Sequence, residues 1–352
     1  MNKVLMKGNE AIAEGALTAG CIAFFGYPIT PSSEIAEYMA KKFPLQGGTF
    51  LQAESELAAI SMVYGGASTG YRVMTASSGP GISLKSEGIS IIAEAELPCL
   101  IVNISRGGPG LGGIQPAQSD YFQATRGGGH GDYKLIVLAP SSVQEMLDFA
   151  MDAFALADKY RTPVMLMAEG TLGQMMEPVI PREKVTQFAD KPWAISGCKG
   201  RKPNIVNTLH LSPEFLEYRN NVLNDKYNLI EANEQKAESY CTEDADLVVV
   251  AFGLMSRIVK KAIMEVRKKG FKVGLIRPIT LWPFPVDCVK KAAETAKLFL
   301  SVEISMGQMI EDVRLAVNGK AAVEFYGRIG MIPSPQEIAR QIILLAEREG
   351  LK

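Results

Sequence analysis

The residues best suited to chemistry in this chain are a pair of acids, an arginine and a short run of hydroxyls. Glu54 and Glu56 stand where a short strand, Phe50-Leu51-Gln52, gives way to a small-residue helix running from Glu56 through Tyr64. Two residues apart, they do not share a helix face, so one can point to solvent and the other inward. An acid in a first helical turn often serves only the helix dipole. An acid that enters an Ala- and Gly-rich apolar helix is costly to bury without a partner, which makes one of the two a better functional candidate than most acids. Arg106 precedes Gly107, Gly108, Gly110, Gly112 and Gly113. A surface ion pair would explain an arginine, but one set among bare backbone suits an anion such as a carboxylate. The hydroxyls lie in Gly26-Tyr27-Pro28-Ile29-Thr30-Pro31-Ser32-Ser33-Glu34. Pro28 and Pro31 remove two donors and fix two φ angles, so the loop is stiff. Thr30 fits as N-cap and Pro31 as the first helical residue. The same features also describe a plain, well-capped helix.

Other chemistries have little to draw on. His130 and His210 are the only histidines. Cys21, Cys99, Cys198, Cys241 and Cys288 are too far apart in sequence for a metal clip, so no iron–sulfur cluster, structural zinc or other metal is expected on this chain alone. The cysteines read as free thiols in or near the core. A formal net charge of −1 gives no basis for a nucleic-acid partner. No apolar run is long enough to span a membrane, and Met1-Asn2-Lys3-Val4 does not open a secretory signal, so a cytoplasmic protein is expected.

The elements that must position these residues alternate between strand and helix. A helix over Asn9–Leu17, with Asn9 as its cap, precedes a buried strand at Cys21–Phe25. A helix to Lys42 follows and stops before Pro44. Strands at Val73–Ala76 and Leu100–Ile104 follow, with a helix from Ser83 or Ser86 between them. Each strand ends in a glycine loop, Ser77–Gly81 and Ser105–Gly113 respectively. Strand ends carrying polar or glycine-rich loops at one edge of a parallel sheet are where open α/β folds bind ligands. The stretch Gly107–Lys134 is long and irregular, as functional loops often are. Ile136–Ala139, a helix Val143–Tyr160 and a strand Pro163–Met167 complete a first domain over residues 1–181. Residues 182–244 turn polar, lose strand signals and read as a linker with some helix from Ser212 to Asn220. From 245 to 352 strands at Asp246–Gly253, Lys272–Ile276, Leu298–Glu303 and Val323–Tyr326 alternate with helices, the first capped by Ser256. Two doubly wound parallel-sheet α/β domains are the expected fold.

Four segments together resemble the α subunit of the 2-oxoacid:ferredoxin oxidoreductases: Tyr27–Ser32, Glu54–Ala59, Thr75–Gly81 and Arg277-Pro278-Ile279-Thr280-Leu281-Trp282-Pro283-Phe284-Pro285. The resemblance covers nearly the whole chain. It implies a thiamine-diphosphate pyrimidine-binding domain followed by a transketolase C-terminal-like domain. It places Glu56 as the acid bonded to the far pyrimidine nitrogen, which favours the imino tautomer that activates the cofactor. Thr30 and Arg106 match positions that meet the substrate carboxylate or the cofactor. Tyr27, Pro28, Ile29, Thr30, Glu56, Ser78 and Gly79 would line the cofactor, and Glu54 would be structural.

The resemblance also implies partners. The magnesium–diphosphate motif is missing; the nearest string, Gly131-Asp132-Tyr133, is not it. The chain would be half a site, completed by a β subunit, with iron–sulfur and γ subunits passing electrons to ferredoxin and coenzyme A as co-substrate. Gly107–Asp120 is most similar to the branched-chain (2-oxoisovalerate) members. A 2-oxoglutarate enzyme needs a second cation, for which Arg126 is available. A non-catalytic anion- or nucleotide-binding scaffold is the alternative of a different class. A nicotinamide dehydrogenase lacks its glycine fingerprint after the first strand.

Overall fold

A computed structural model describes residues 3–351. In chain order the first half comprises β1 (Val4–Lys7), α1 (Gly8–Thr18), β2 (Ala23–Gly26), α2 (Ser33–Gln46), β3 (Thr49–Gln52), α3 (Glu56–Ser68), β4 (Val73–Ser77), α4 (Pro80–Glu94), β5 (Leu100–Gly107), β6 (Gly113–Pro116), α5 (Tyr121–Thr125), β7 (Ile136–Leu138), α6 (Val143–Tyr160), β8 (Val164–Glu169), α7 (Gly170–Gln174) and β9 (Met176–Val179). Its central sheet runs β7-β8-β5-β4-β2-β3, all parallel, because apolar strands such as Leu100–Ile104 are buried on both faces by helices. From β2 the chain steps out to β3 on one side and then to β4 on the other. The sheet therefore reverses direction between β2 and β4, and its crevice opens there.

The second half comprises α8 (Pro213–Asn233), β10 (Ala237–Tyr240), β11 (Leu247–Val250), α9 (Gly253–Arg267), β12 (Val273–Pro278), β13 (Thr280–Trp282), α10 (Val286–Ala292), β14 (Leu298–Glu303), α11 (Met309–Val317), β15 (Ala322–Gly327) and α12 (Pro335–Arg348). Its sheet runs β10-β12-β11-β14-β15. The reversal point here lies between β11 and β14.

Several local expectations change. The sheets are not purely parallel: β13 pairs antiparallel with β7, β6 with β5, and β10 with β12. Strand β10 falls in a stretch read as strand-free, and α8 continues to Asn233 rather than ending near Asn220. The Arg277–Pro285 segment is less a loop than a joint, since β12 lies in the second sheet and β13 in the first. Arg277 is buried and binds Glu145 at 2.8 Å, Glu238 at 3.0 Å and Ser141 at 3.0 Å, so its charge is neutralised where the domains meet.

Caps shift as well. Helix α1 starts at Gly8, so Asn9 is not its cap. Asn9 is buried and its Nδ2 donates to the Pro31 carbonyl and to Glu34, each at 2.8 Å. Ser32, not Thr30, stands at the start of α2, because a tight turn (Ser32 N–H to the Ile29 carbonyl, 3.0 Å) leaves Thr30 outside the helix. Pro44 does not stop α2. It sits in the last turn, where one missing hydrogen bond is tolerable, and Gly47 in the left-handed region ends the helix. Helix α4 begins earlier than expected, at Pro80 after Gly79, and α9 begins at Gly253, so Ser256 lies inside it and donates to the Gly253 carbonyl.

Candidate active site

Three strand ends converge where the first sheet reverses. The loop after β2 carries Tyr27, Pro28, Ile29 and Thr30. The loop after β4 carries Ser78 and Gly79, and β3 leads directly to Glu56. Tyr27, Pro28 and Thr30 are exposed and Ile29 is half-buried, so this loop forms an outward rim. Asn9 anchors it from behind through Pro31. Ser78 is buried and donates to the Ile104 carbonyl at 2.7 Å, fixing the second loop against β5.

Glu56 opens α3 behind the N-cap Ser55, whose hydroxyl accepts from the Ala58 N–H at 3.2 Å. The Glu56 residue is 7% exposed, whereas Glu54 is exposed. Its carboxyl accepts no hydrogen bond from the described residues, and its oxygens are not among the fully enclosed polar atoms, so an incoming group can reach them. It lies against the first turn of α4: a Cβ on Gly81 would come within 2.9 Å of Glu56 Oε1 and 2.2 Å of Ser77 Oγ. Only glycine leaves room for that approach.

Arg106 closes the other side. Its Nη1 donates to the Thr30 carbonyl at 2.8 Å and Nη2 to the Leu111 carbonyl at 3.1 Å, while Nε is buried and unpartnered. Both hydrogen-bond partners are neutral backbone, and the acid that feels the guanidinium charge across the cleft is Asp120. Gly79, at φ +45°, packs so tightly here that a Cβ would sit 3.1 Å from Arg106 Nε. Thr30, Arg106, Gly79, Gly81 and Glu56 thus form one continuous set.

Beside Arg106 opens a cleft of about 550 Å³, lined by Gly79, Pro80, Arg106 and Asp120 from the first domain and by Met306 and Ile329 from the second. Burial pushes the Asp120 carboxyl up from its ordinary range, against the pull of Asn103, Ser105 and Arg106. Larger hollows, about 620 Å³ near Trp193 and about 670 Å³ near Trp282, touch none of the residues at the sheet reversal. Arg126 lines the Trp282 hollow, not the Arg106 cleft. It is 3.2 Å from Asp312 and 3.4 Å from Glu311 and stacks on Phe122.

Three polar residues escaped sequence reasoning. Lys85 is fully buried one turn beyond Gly81, and its ammonium makes no hydrogen bond. Burial pulls it down to about 8, with the Glu56 charge opposing. Gln118 and Glu169 meet inside the domain junction. Gln118 Nε2 donates to Glu169 Oε1 and to the Phe252 carbonyl, and its Oε1 accepts from the Ile304 N–H at 3.0 Å. Burial pushes Glu169 up to about 7, although the Leu254 N–H and Gln118 favour its charged form. The available signals were an acid ending an apolar strand, for Glu169, and the four-residue spacing from Gly81, for Lys85.

The sheet reversal thus brings a largely buried acid, Glu56, and a backbone-anchored cation, Arg106, to one side of the first sheet, with a cleft beside the cation. The pyruvate flavodoxin/ferredoxin oxidoreductase, thiamine diphosphate-binding family matches residues 14–238, and the pyruvate:ferredoxin oxidoreductase core domain II matches residues 245–338. The chain belongs to this family and is a subunit of a 2-oxoacid:ferredoxin oxidoreductase. It is 53% identical over 327 residues to the ketoisovalerate oxidoreductase subunit VorB of Methanothermobacter marburgensis, covering 93% of each chain. It is 38% identical to the 2-oxoglutarate synthase subunit KorA of Methanocaldococcus jannaschii, over 97% of this chain and 100% of that one. Among solved structures it resembles the 2-oxoglutarate:ferredoxin oxidoreductase from Magnetococcus marinus, with a TM-score of 0.88 and 28% identity. That match covers 97% of this chain and 65% of the other. Among the described residues no helix is long and apolar enough to cross a membrane, and no three metal-ligating side chains cluster.

Proposed function

We propose that this chain forms the pyrimidine side of a split thiamine diphosphate site and acts on a branched-chain 2-oxoacid. The observation that carries this reading is the Glu56 carboxyl, 7% exposed, without a hydrogen bond, at the mouth of the reversal crevice. A buried acid in that state is complementary to a heterocyclic nitrogen brought by a ligand. Glu56 would hold a proton at the far pyrimidine nitrogen, with Tyr27, Pro28, Ile29, Thr30, Ser78 and Gly79 lining the ring. Bound there, thiamine diphosphate supplies the nucleophilic carbon and electron sink that decarboxylation needs. Arg106 would hold the substrate carboxylate, and the Thr30 hydroxyl beside it would fix the orientation. The overall reaction is oxidative decarboxylation with coenzyme A, giving acyl-CoA and carbon dioxide. A β subunit would bring diphosphate and magnesium, and iron–sulfur and γ subunits would carry electrons to ferredoxin.

Two observations favour an apolar substrate side chain. Met306 and Ile329 face the Arg106 cleft, and the relatives with 53% and 52% identity are ketoisovalerate oxidoreductase subunits. Arg126 is already held by Asp312 and Glu311, away from the cleft, so a second carboxylate has no free cation there. Co-purification of the chain with its partners tests the reading. Glu56→Gln is expected to assemble normally and lose decarboxylation of 2-oxoisovalerate. Normal turnover in that variant removes Glu56 from the role, and preference for 2-oxoglutarate in the unmodified complex removes the substrate assignment.

A further inference from the structure

Before α8 the chain runs from Lys202 to Leu211 without joining a sheet. Its burial nevertheless alternates residue by residue. Asn204, Val206, Thr208 and His210 are half-buried, whereas Ile205, Asn207, Leu209 and Leu211 face outward. That period of two belongs to a strand. The inward side is pinned to the first domain. Asn204 Nδ2 donates to the Ala194 carbonyl at 2.9 Å, the Val206 carbonyl accepts from the Tyr64 hydroxyl at 3.4 Å, and His210 Nε2 lies 2.9 Å from Glu94 Oε1. The outward side is bare: Ile205 is 82% exposed, Leu209 66% and Leu211 85%. Among the described residues, no backbone group of 203–211 bonds to another backbone group. A pinned strand with an apolar face and an unpaired backbone is what strand addition uses.

Charge says what fits beside it. No Asp or Glu occurs from Lys191 to Pro213, while Lys199, Arg201 and Lys202 head the segment. All three are exposed, and Arg201 donates only to the Lys202 and Ala194 carbonyls. Arg161, just past α6, adds a fourth cation. It lines the 620 Å³ hollow that the segment borders, and its guanidinium stacks 4.7 Å from the Trp193 ring centre with Nε enclosed and unpartnered. The acids nearby are already engaged. Glu96 holds Arg219 at 3.1 Å and Lys226 at 3.2 Å, and Glu94 holds His210 at 2.9 Å and Arg219 at 3.3 Å.

We propose that residues 203–211 are the docking strand for a partner subunit, which lays an extended segment of its own beside them and brings acidic side chains to Lys199, Lys202 and Arg161. Pairing supplies the missing backbone bonds, apolar residues of the partner cover Ile205, Leu209 and Leu211, and the acids set which partner is accepted. A second copy of this chain is a poor match, because it would bring the same cations. The inference is independent of the role given to Glu56.

Hydrogen exchange on the full chain, alone and in the co-purified complex, tests this without any substitution. The amides of residues 204–211 are expected to exchange freely in the chain alone and to slow about tenfold or more in the complex, the equivalent of one net hydrogen bond. Equal exchange in the two overturns the proposal. So does protection in the chain alone that fades on dilution, because the occupant is then a second copy. Two double variants test the side chains. Leu209→Asp with Leu211→Asp is expected to unfold at the unmodified temperature, since both side chains are exposed, and to bind the partner about thirtyfold more weakly, as loss of a central apolar contact does. Lys199→Glu with Lys202→Glu is expected to weaken binding and to flatten its dependence on salt. Unchanged affinity in the first variant, or an unchanged salt slope in the second, overturns an apolar, acidic partner at this strand.

Discussion

Gly81→Ala tests whether the approach of α4 to Glu56 matters for catalysis rather than for folding. The added Cβ would lie 2.2 Å from Ser77 Oγ and 2.9 Å from Glu56 Oε1. Ordinary contact begins about 1 Å further out, so both groups must retreat, and neither has a hydrogen bond that ties it elsewhere. Overpacking of this kind costs about 1–3 kcal/mol. Alanine recovers roughly 0.5–1 kcal/mol of that as a better helix former. The net loss of stability is therefore at most about 2.5 kcal/mol. A carboxyl displaced by about 1 Å from its hydrogen-bonding position loses on the order of 10²-fold in rate. The assay pairs thermal unfolding with steady-state decarboxylation in the co-purified complex. Gly88→Ala is the control. It sits on the same helix and would press a Cβ to 2.5 Å from Ile60 Cγ2, an overpacking of similar size that does not touch Glu56. It is expected to lose comparable stability and keep its kcat. A Gly81→Ala enzyme with unmodified kcat, or a Gly88→Ala enzyme that loses kcat equally, refutes the claim that the Glu56 approach is what matters.

Three further outcomes are expected. Arg106→Ala removes a guanidinium whose recorded partners are the Thr30 and Leu111 carbonyls; the 2-oxoacid KM should rise about ten- to hundredfold, the worth of a charged hydrogen bond, with cofactor affinity little changed, and an unchanged KM defeats the assignment. Glu169, raised to about 7 in the fold from an ordinary 4.5, keeps its proton in the folded state and loses it in the unfolded one between those values. Stability should therefore fall as pH rises from about 4.5 to 7, by up to about 3 kcal/mol, and level off above; Glu169→Gln should flatten that slope in denaturant titrations, and an identical slope removes Glu169 as its source. The chain purified alone should bind thiamine diphosphate weakly in calorimetry and contribute to tight binding only with its partners; tight, saturable binding by the lone polypeptide counts against a shared site.

The candidate site was legible where composition and position disagree with a structural explanation. An acid at the head of a helix of small apolar residues stood out, the family resemblance chose Glu56 over Glu54, and Arg106 stood out because glycines surround it. Both lie where the sheet reverses, which follows from strand order and could not be read from either residue alone. What was missed depended on distance in sequence. Gln118 has no periodicity, and its partners lie at Glu169, Phe252 and Ile304. Strand β13 sits between prolines and finds its partner β7 in the other domain, so local propensity gives no sign of it. Asn9 read as a helix cap because a cap and a loop anchor use the same amide; only the fold shows that Pro31 and Glu34 are its partners.

The second domain raises a question of its own, since it too is doubly wound and has a reversal point between β11 and β14. Such crevices bind ligands in open α/β sheets. Here the first domain fills it. Gln118 donates to the Phe252 carbonyl just past β11 and accepts from the Ile304 N–H just past β14, and the Gln118 N–H donates to the Ile304 carbonyl at 2.8 Å. Glu169 reaches the Leu254 N–H at the start of α9, where Gly253 leaves space for its carboxyl. One neutral amide thus satisfies backbone groups from both edges of the crevice and closes it to small molecules. The second domain is left with a different task. By gripping Gln118 it fixes the start of the segment that leads to Ser119 and Asp120, and with Met306 and Ile329 it forms the far wall of the Arg106 cleft. The two crevices are therefore not equivalent: Glu56 stands at the first without a hydrogen bond from the described residues, and the other is spent on holding the first in shape.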